Sequence, residues 1–324
     1  MYKSILLAIM FVAVIGCQSR DEETVRGVLN IDWQHSFDQD ENEILIAHHY
    51  VEAAEFYENA AAHALFQSDM LINGFHYSSD QSFLIALSDE EKNSLIAMTH
   101  GKQSTIIQSG HFIHKIHRLS SGNLLYVERI QDDYSKTGHP DYLKLYNTDS
   151  RISRILEPVY MYTSNFHESK NKNLIFASIE NRHADAVIWI IDETGSQTNF
   201  VRKGTDPVFS GDNYIFAKKS KSGKSCIWEM NQDGSRLKKI IGNPDGNCFS
   251  PIVDPQNKYI AYVLEGSSEE QSNIHLYERS SGKSRQITHY SYRDDMPQFS
   301  ADGKSLIFRS SRNMQWGLWK IAIK

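Results

Sequence analysis

The stretch "DDMPQFSADGKSLIFRSSRNMQWGLWKIAIK", Asp294 to Lys324, has a relative in "DPVFSGDNYIFAKKSKSGKSCIWEM", Asp206 to Met230. Each copy runs from a proline-containing segment through a polar turn to an apolar run, then through a polar loop to a segment built around tryptophan. Self-similarity of this kind marks a repeat architecture. The apolar run recurs seven times, near Ile44, Leu84, Leu125, Ile175, Ile215, Ile260 and Ile307. The spacing is roughly 40 to 50 residues, the length of one four-stranded propeller blade.

Third segments follow in step: "HALFQSD", "SLIAMTH", "DYLKLYNTD", "VIWIIDE", "CIWEMNQD", "NIHLYERS" and "GLWKIAIK". Their apolar residues alternate or cluster in short runs bounded by Asp, Asn, Ser and Gly, which is strand-and-turn text without helical periodicity. Glycines at "DGS", "SGK" and "ADGK" suit tight reversals that need positive φ. Only "HYVEAAEFYENAAAHALF", His49 to Phe66, has helical character, and it reads as an insertion or short helix in the first blade. The expected fold is all-β: a seven-bladed propeller, alternatively six-bladed if Glu43–Asn73 is not a blade. The last repeat stops after three strands. The N-terminal segment Thr24–Asp32 is expected to supply the fourth and close the ring, which removes long exposed edges.

The first residues form a separate unit. Lys3 precedes an apolar stretch from Ile5 to Ile15, roughly 11 residues where a spanning helix needs ~20, so residues 1–16 read as a signal peptide. The stretch closes on "VIGC", which resembles the bacterial lipobox. By that resemblance Cys17 is the lipidated residue, and residues 17–27 are a polar tether. The propeller then occupies residues 28–324. Gln18 stands where inner-membrane retention commonly uses Asp, so the resemblance implies a lipid anchor in the cell envelope, at the periplasmic face of the outer membrane. Cys226 and Cys248 remain as two semi-buried thiols or, in an oxidising compartment, as a disulfide.

The strings "DDMPQFSADGKSLIFRSSR", "DPVFSGDNYIFAKK" and "SPIVDPQNKYIAYV" resemble the repeats of TolB-like, WD-type β-propellers, with Pro297, Phe299, Asp302, Gly303 and Lys304 in one copy and Pro207, Phe209 and Ser210 in another. The likeness is strong from Asn165 onward and fades toward the N-terminus. It implies a periplasmic six- or seven-bladed propeller that binds protein partners or carries a catalytic domain. TolB itself has an extra α/β domain before the propeller, for which this chain has no room.

The net charge of −6 is spread over interspersed acids and bases with no basic run, which argues against a nucleic-acid backbone as the main partner. No G-x-S-x-G elbow, P-loop, H-E-x-x-H or C-x-x-C occurs, so no residue is assigned a catalytic role. Histidine is abundant, with 14 copies. His35, His76, His117 and His167 fall near the starts of successive repeats, where innermost strands line the channel, and are candidate ligands for a divalent metal. Against this, their offsets differ by a residue or two, and strand alternation would scatter them between faces. The adjacent Asp294 and Asp295 point to opposite faces of a strand, which suits a structural role between blades. Trp189, Trp228 and Trp319 occupy equivalent third-strand places, as inter-blade core residues do.

Two functions follow as expectations. One is a membrane-anchored, non-enzymatic propeller without a cofactor, binding an envelope protein, peptide or glycan through loops such as Ala53–Ala62, Asp132–Pro140 and Glu265–Ser272. The other is a metal-assisted polysaccharide lyase or glycan hydrolase working at a His-lined channel.

Overall fold

A computed structural model describes residues 62–89, 92–130, 141–156, 162–169, 171–179, 186–192, 194–244, 246–266, 271–290, 293–312 and 315–323. Ala62–Thr288 and Tyr292–Lys324 form one compact unit. After β1 (Ala62–Ser68) its strands group into six sheets. The first holds β2 (Leu71–Tyr77), β3 (Phe83–Ser88), β4 (Asn93–Thr99) and β5 (Lys102–Ser109). The second holds β6 (Phe112–Arg118), β7 (Leu124–Arg129), β8 (Asp141–Asn147) and β9 (Ile152–Ile155). In the third, the innermost strand is split into β10 (Tyr162–Thr163) and β11 (His167–Glu168), followed by β12 (Leu174–Ile179), β13 (Val187–Ile191) and β14 (Gln197–Lys203). The fourth contains β15 (Thr205–Ser210), β16 (Asn213–Lys219), β17 (Ser225–Asn231) and β18 (Lys238–Ile241). The fifth contains β19 (Asn247–Val253), β20 (Tyr259–Glu265), β21 (Ser272–Glu278) and β22 (Lys283–Gln286). The sixth contains β23 (Asp294–Phe299), β24 (Ser305–Ser310) and β25 (Trp316–Ala322).

This is a six-bladed propeller, the alternative blade count drawn from the sequence. Six of the seven apolar runs are second strands, β3, β7, β12, β16, β20 and β24. They read as unbroken apolar text because both faces of a second strand pack on neighbouring blades, as β3 shows with every residue buried. The seventh run, near Ile44, lies outside the described residues, as do Cys17, His35 and the loop Asp132–Pro140.

Ring closure from the N-terminal side is present, with a different strand from the one expected. β1 pairs antiparallel with β25, from Ala62 opposite Ile321 to Ser68 opposite Trp316, and completes the sixth blade. "HALFQSD" is therefore the outermost strand of the last blade, where the repeat count places a third strand of the first. The part of the apparent helix from Ala62 onward is likewise strand. The alanine-rich text before it weights the segment toward helix, but the strand ladder along β25 decides its state. Thr24–Asp32 lies outside the described residues.

Six apolar clusters fill the six seams between blades. Between the second and third blades, Leu125, Val127 and Leu143 meet Phe166, Leu174 and Phe176. Between the sixth and first, Ile307 and Leu318 meet Ile72, Phe75 and Ile85. Trp319 is buried in the seam of the fifth and sixth blades, and Trp189 and Trp228 pack partly buried against theirs. Asp294 and Asp295 are buried beside arginines: Arg312 Nη2 donates to Asp294 at 2.8 Å, and Arg309 and Arg293 both donate to Asp295.

The strap formed by β1 leaves little room at Gly317, where an added Cβ would come within 2.9 Å of the Phe66 carbonyl oxygen. Gly317→Ala should lower stability by about 1–3 kcal/mol through overpacking. Urea denaturation measures this, and an unchanged midpoint would mean that β1 does not pack on β25 as described.

Candidate functional site

Innermost strands run along a central channel, and each has hydrogen-bonding groups on its channel side that no neighbouring strand pairs. A bulge interrupts five of them, shown by register shifts between Ile72 and Gly74, His114 and Ile116, Thr205 and Val208, Phe249 and Ile252, and Asp295 and Gln298. Four of these bulges carry a non-glycine residue at positive φ: Lys115 at 53°, Asp206 at 48°, Ser250 at 46° and Met296 at 53°. Bulges re-aim side chains out of the strand's alternation. The prolines of the repeat, Pro207, Pro251 and Pro297, follow three of them. A proline lacks an N–H, which costs nothing where the ladder is already interrupted.

One half of the channel opens into a cavity of about 740 Å³, lined by all six blades. His76, His117 and His167 all lie on it, and a shallower recess of about 360 Å³ beside it shares the same three residues. The His76 and His117 rings meet edge to face, centroids 4.8 Å apart and 79° between planes. His167 Nδ1 accepts a hydrogen bond from the Phe209 N–H at 3.4 Å, which leaves Nε2 for other partners. Burial lowers His76 and His167 from the ordinary 6.5 to about 4, and lowers His117 well below its usual range; the Arg118 charge and then His167 add to the effect at His76, and His76 and His167 add to it at His117. All three are neutral at pH 7, the form in which imidazole ligates a metal.

Strand alternation does not scatter these histidines, because the bulges reset the offset in β2 and β6 and the split strand resets it in the third blade. Edge-to-face contact is an ordinary packing arrangement of two rings. Among the described residues, however, no group of three or more His, Cys, Asp or Glu is arranged to hold a metal ion. Cys226 on β17 and Cys248 on β19 are buried free thiols in the neighbouring fourth and fifth blades, and burial pushes Cys248 up to about 11.

Lys115 lies within electrostatic reach of Asp206, Asp295, Asp141 and Arg309, which belong to the fourth, sixth, second and sixth blades. Burial lowers the Lys115 ammonium and raises the Asp206 carboxyl, and each partly offsets the other. The sequence does not single out either residue as functional. Asp206 does carry a visible marker, the Asp-Pro dipeptide of the repeat. Lys115 has none within "HFIHKIH".

No protein-family model matches the chain. An uncharacterized protein of Agrobacterium fabrum, Atu1656, is 26% identical over 110 residues, which cover 34% of this chain and 36% of that protein. Solved structures give the fold. A putative TolB from Agrobacterium tumefaciens superposes with a TM-score of 0.58 at 14% identity, covering 79% of this chain and 92% of its own. A gluconolactonase from Xanthomonas campestris gives 0.58 at 12% identity, with 81% and 89% covered. An oligogalacturonate lyase in complex with manganese gives 0.53 at 11% identity, with 74% of each chain covered.

The channel histidines impose a pH dependence. Their folded pKa values lie below the unfolded 6.5, so as pH falls the unfolded chain takes up protons first. Stability should be complete above about pH 6.5 and fall by on the order of a few kcal/mol toward pH 4. Thermal melts in chelator-treated buffer measure the slope. His76→Gln with His167→Gln should flatten it, and an equally steep loss in that variant would assign it to other groups.

Proposed function

We propose that this protein is a binding propeller of the bacterial cell envelope, and that the open half of its channel is the recognition site. The carrying observation is the preformed cavity lined by six rigid blades. A concave site already in place loses little conformational freedom on binding, which favours affinity. Its wall mixes aromatic side chains, among them Tyr77, Phe209 and Phe299, with amides such as Asn165 and Gln232. That mixture suits a glycan or peptide end. The lipobox-like "VIGC" supports attachment through Cys17, and the fold likeness to TolB agrees with an envelope setting.

The test is site-specific photocrosslinking in intact cells with the full-length chain. A photoreactive residue at Asn171 or Gln232 on the rim should give a discrete adduct, and one at Lys283 on the outer strand β22 should not. Cys17→Ser should release the protein, adduct included, from the membrane fraction. Equal labelling from both positions, or none from the rim, would count against the channel as the site.

A second reading is favoured by the crossed rings of His76 and His117 and by the fold shared with a manganese-bound lyase. On this reading the two imidazoles hold a divalent ion with His167 beside them, and the site acts on a polysaccharide. A bound ion would supply Lewis-acid polarisation of an oxygen at the substrate. Neutral imidazoles offer their lone pairs, and the Phe209 N–H orients the His167 ring. Metal analysis of the full-length protein, purified without a histidine tag, decides between the two. Near-stoichiometric metal that is lost in both His76→Ala and His117→Ala supports the enzyme, whereas a metal content below a tenth of an equivalent rejects it.

A further inference from the structure

We infer that the occupant of this cavity is an uncharged glycan end, whose hydroxyls bond Asp206 and His167 and whose ring rests on Phe209. The inference deepens the channel reading and rests on it. Among the described residues, none that lines the cavity is a lysine or an arginine, whereas four are acids: Glu168, Asp206, Asp212 and Asp254. A carboxylate or phosphate on the ligand would meet like charges there and no cation, at a cost that burial increases. Acidic sugars and peptide C-termini are therefore disfavoured.

The same four acids do not call for a cation. Glu168 has both oxygens engaged, accepting the Ser120 N–H and the Ser120 hydroxyl at 2.8 Å each. Asp254 is likewise held in its own turn, accepting the Tyr259 N–H at 2.5 Å and the Gln256 N–H at 3.2 Å. Asp212 stands exposed, where water serves it. Asp206 has Lys115 as its opposite charge. A ligand ammonium would give up its water without gaining a carboxylate of its own.

What Asp206 lacks is donors. Its Oδ2 accepts the Ser250 N–H at a long 3.4 Å, and among the described residues the carboxyl has no other hydrogen bond. His167 supplies the complementary group. Because its Nδ1 accepts the Phe209 N–H, the neutral ring carries its proton on Nε2 and donates from there. The two residues sit on β11 and β15, which pack together, and both line the cavity. An ammonium only donates and a carboxylate only accepts, but a hydroxyl does both. Phe209 is half-buried on the same wall, its ring centroid 5.8 Å from that of His167, so an apolar face adjoins the donor and the acceptor. A sugar ring matches that arrangement, with hydroxyls around its edge and C–H groups on its faces.

A glycan array probed with the full-length chain tests the inference. It carries oligomers of glucose, galactose, mannose and N-acetylglucosamine beside uronate-containing and sialylated glycans. Binding should be confined to neutral glycans, and isothermal titration with the tightest of them should give an affinity that changes less than about twofold between low and high salt. Asp206→Asn should weaken it about tenfold, and Phe209→Leu about fivefold or more. Binding of acidic glycans, or an affinity indifferent to both substitutions in variants whose melts match the parent, overturns the inference. If Asp206→Asn does not fold, Phe209→Leu decides. An array without a bound glycan, while the Asn171 or Gln232 crosslink still forms, overturns the inference alone, and loss of that crosslink overturns the channel reading beneath it.

Discussion

The free inner edge of each first strand is the constraint on which this structure turns. In a closed propeller the outer strands face solvent, where water satisfies their backbone, but the innermost strands face a narrow channel with limited water. Their N–H and C=O groups must be met by something. Gln298 does this at the seam of the sixth and first blades, where its amide donates to the Phe75 carbonyl at 2.7 Å and accepts the Tyr77 N–H at 3.0 Å. At the same seam Arg309 donates to the Ile72 carbonyl at 2.5 Å, and at the next Asn73 donates to the Ile113 carbonyl at 3.2 Å. His167 and Asp206 accept N–H groups of the following blade in the same manner. Side chains thus serve as a substitute ladder from blade to blade.

The substitution shapes everything farther out. A side chain that bonds across a seam fixes the spacing between two blades, and the apolar clusters behind it fill that spacing. Residues that open the third strands repeat the device: Asp141 accepts the Thr163 N–H, Ser225 donates to the Cys248 carbonyl at 2.9 Å and Ser272 donates to the Asp294 carbonyl at 3.1 Å. These three positions are equivalent in the repeat, yet one is an acid and two are serines. What each position requires is a short polar side chain able to bond the neighbouring strand. That requirement explains why the repeat is degenerate in sequence and regular in space.

A segment is legible in the sequence where its state depends on its own residues. The second strands are legible because burial on both faces demands continuous apolar text, and the third strands because their tryptophans and turn glycines recur. Ala62–Ser68 is not, since it resembles a third strand and follows helix-forming alanines. Its actual place beside β25 is decided by a partner some 250 residues away in the chain, a separation no local pattern encodes. The repeat spacing does bring His76, His117 and His167 together at the channel, although strict alternation argues against it, because alternation takes no account of bulges. Lys115 is hidden for the same reason. Its direction is set by a backbone at positive φ, not by its neighbours in sequence.

The channel therefore has two layers of different electrostatic character. Near the mouth the imidazoles are neutral, and aromatic and amide groups dominate, so contacts there discriminate by shape and hydrogen bonding more than by charge. Farther along the same wall, the bulge residues Asp206 and Ser250 bring a carboxyl and a hydroxyl, and burial raises the Asp206 carboxyl above its ordinary value. All six blades contribute to the cavity wall, so its shape is set by the same seam contacts that hold the blades in register.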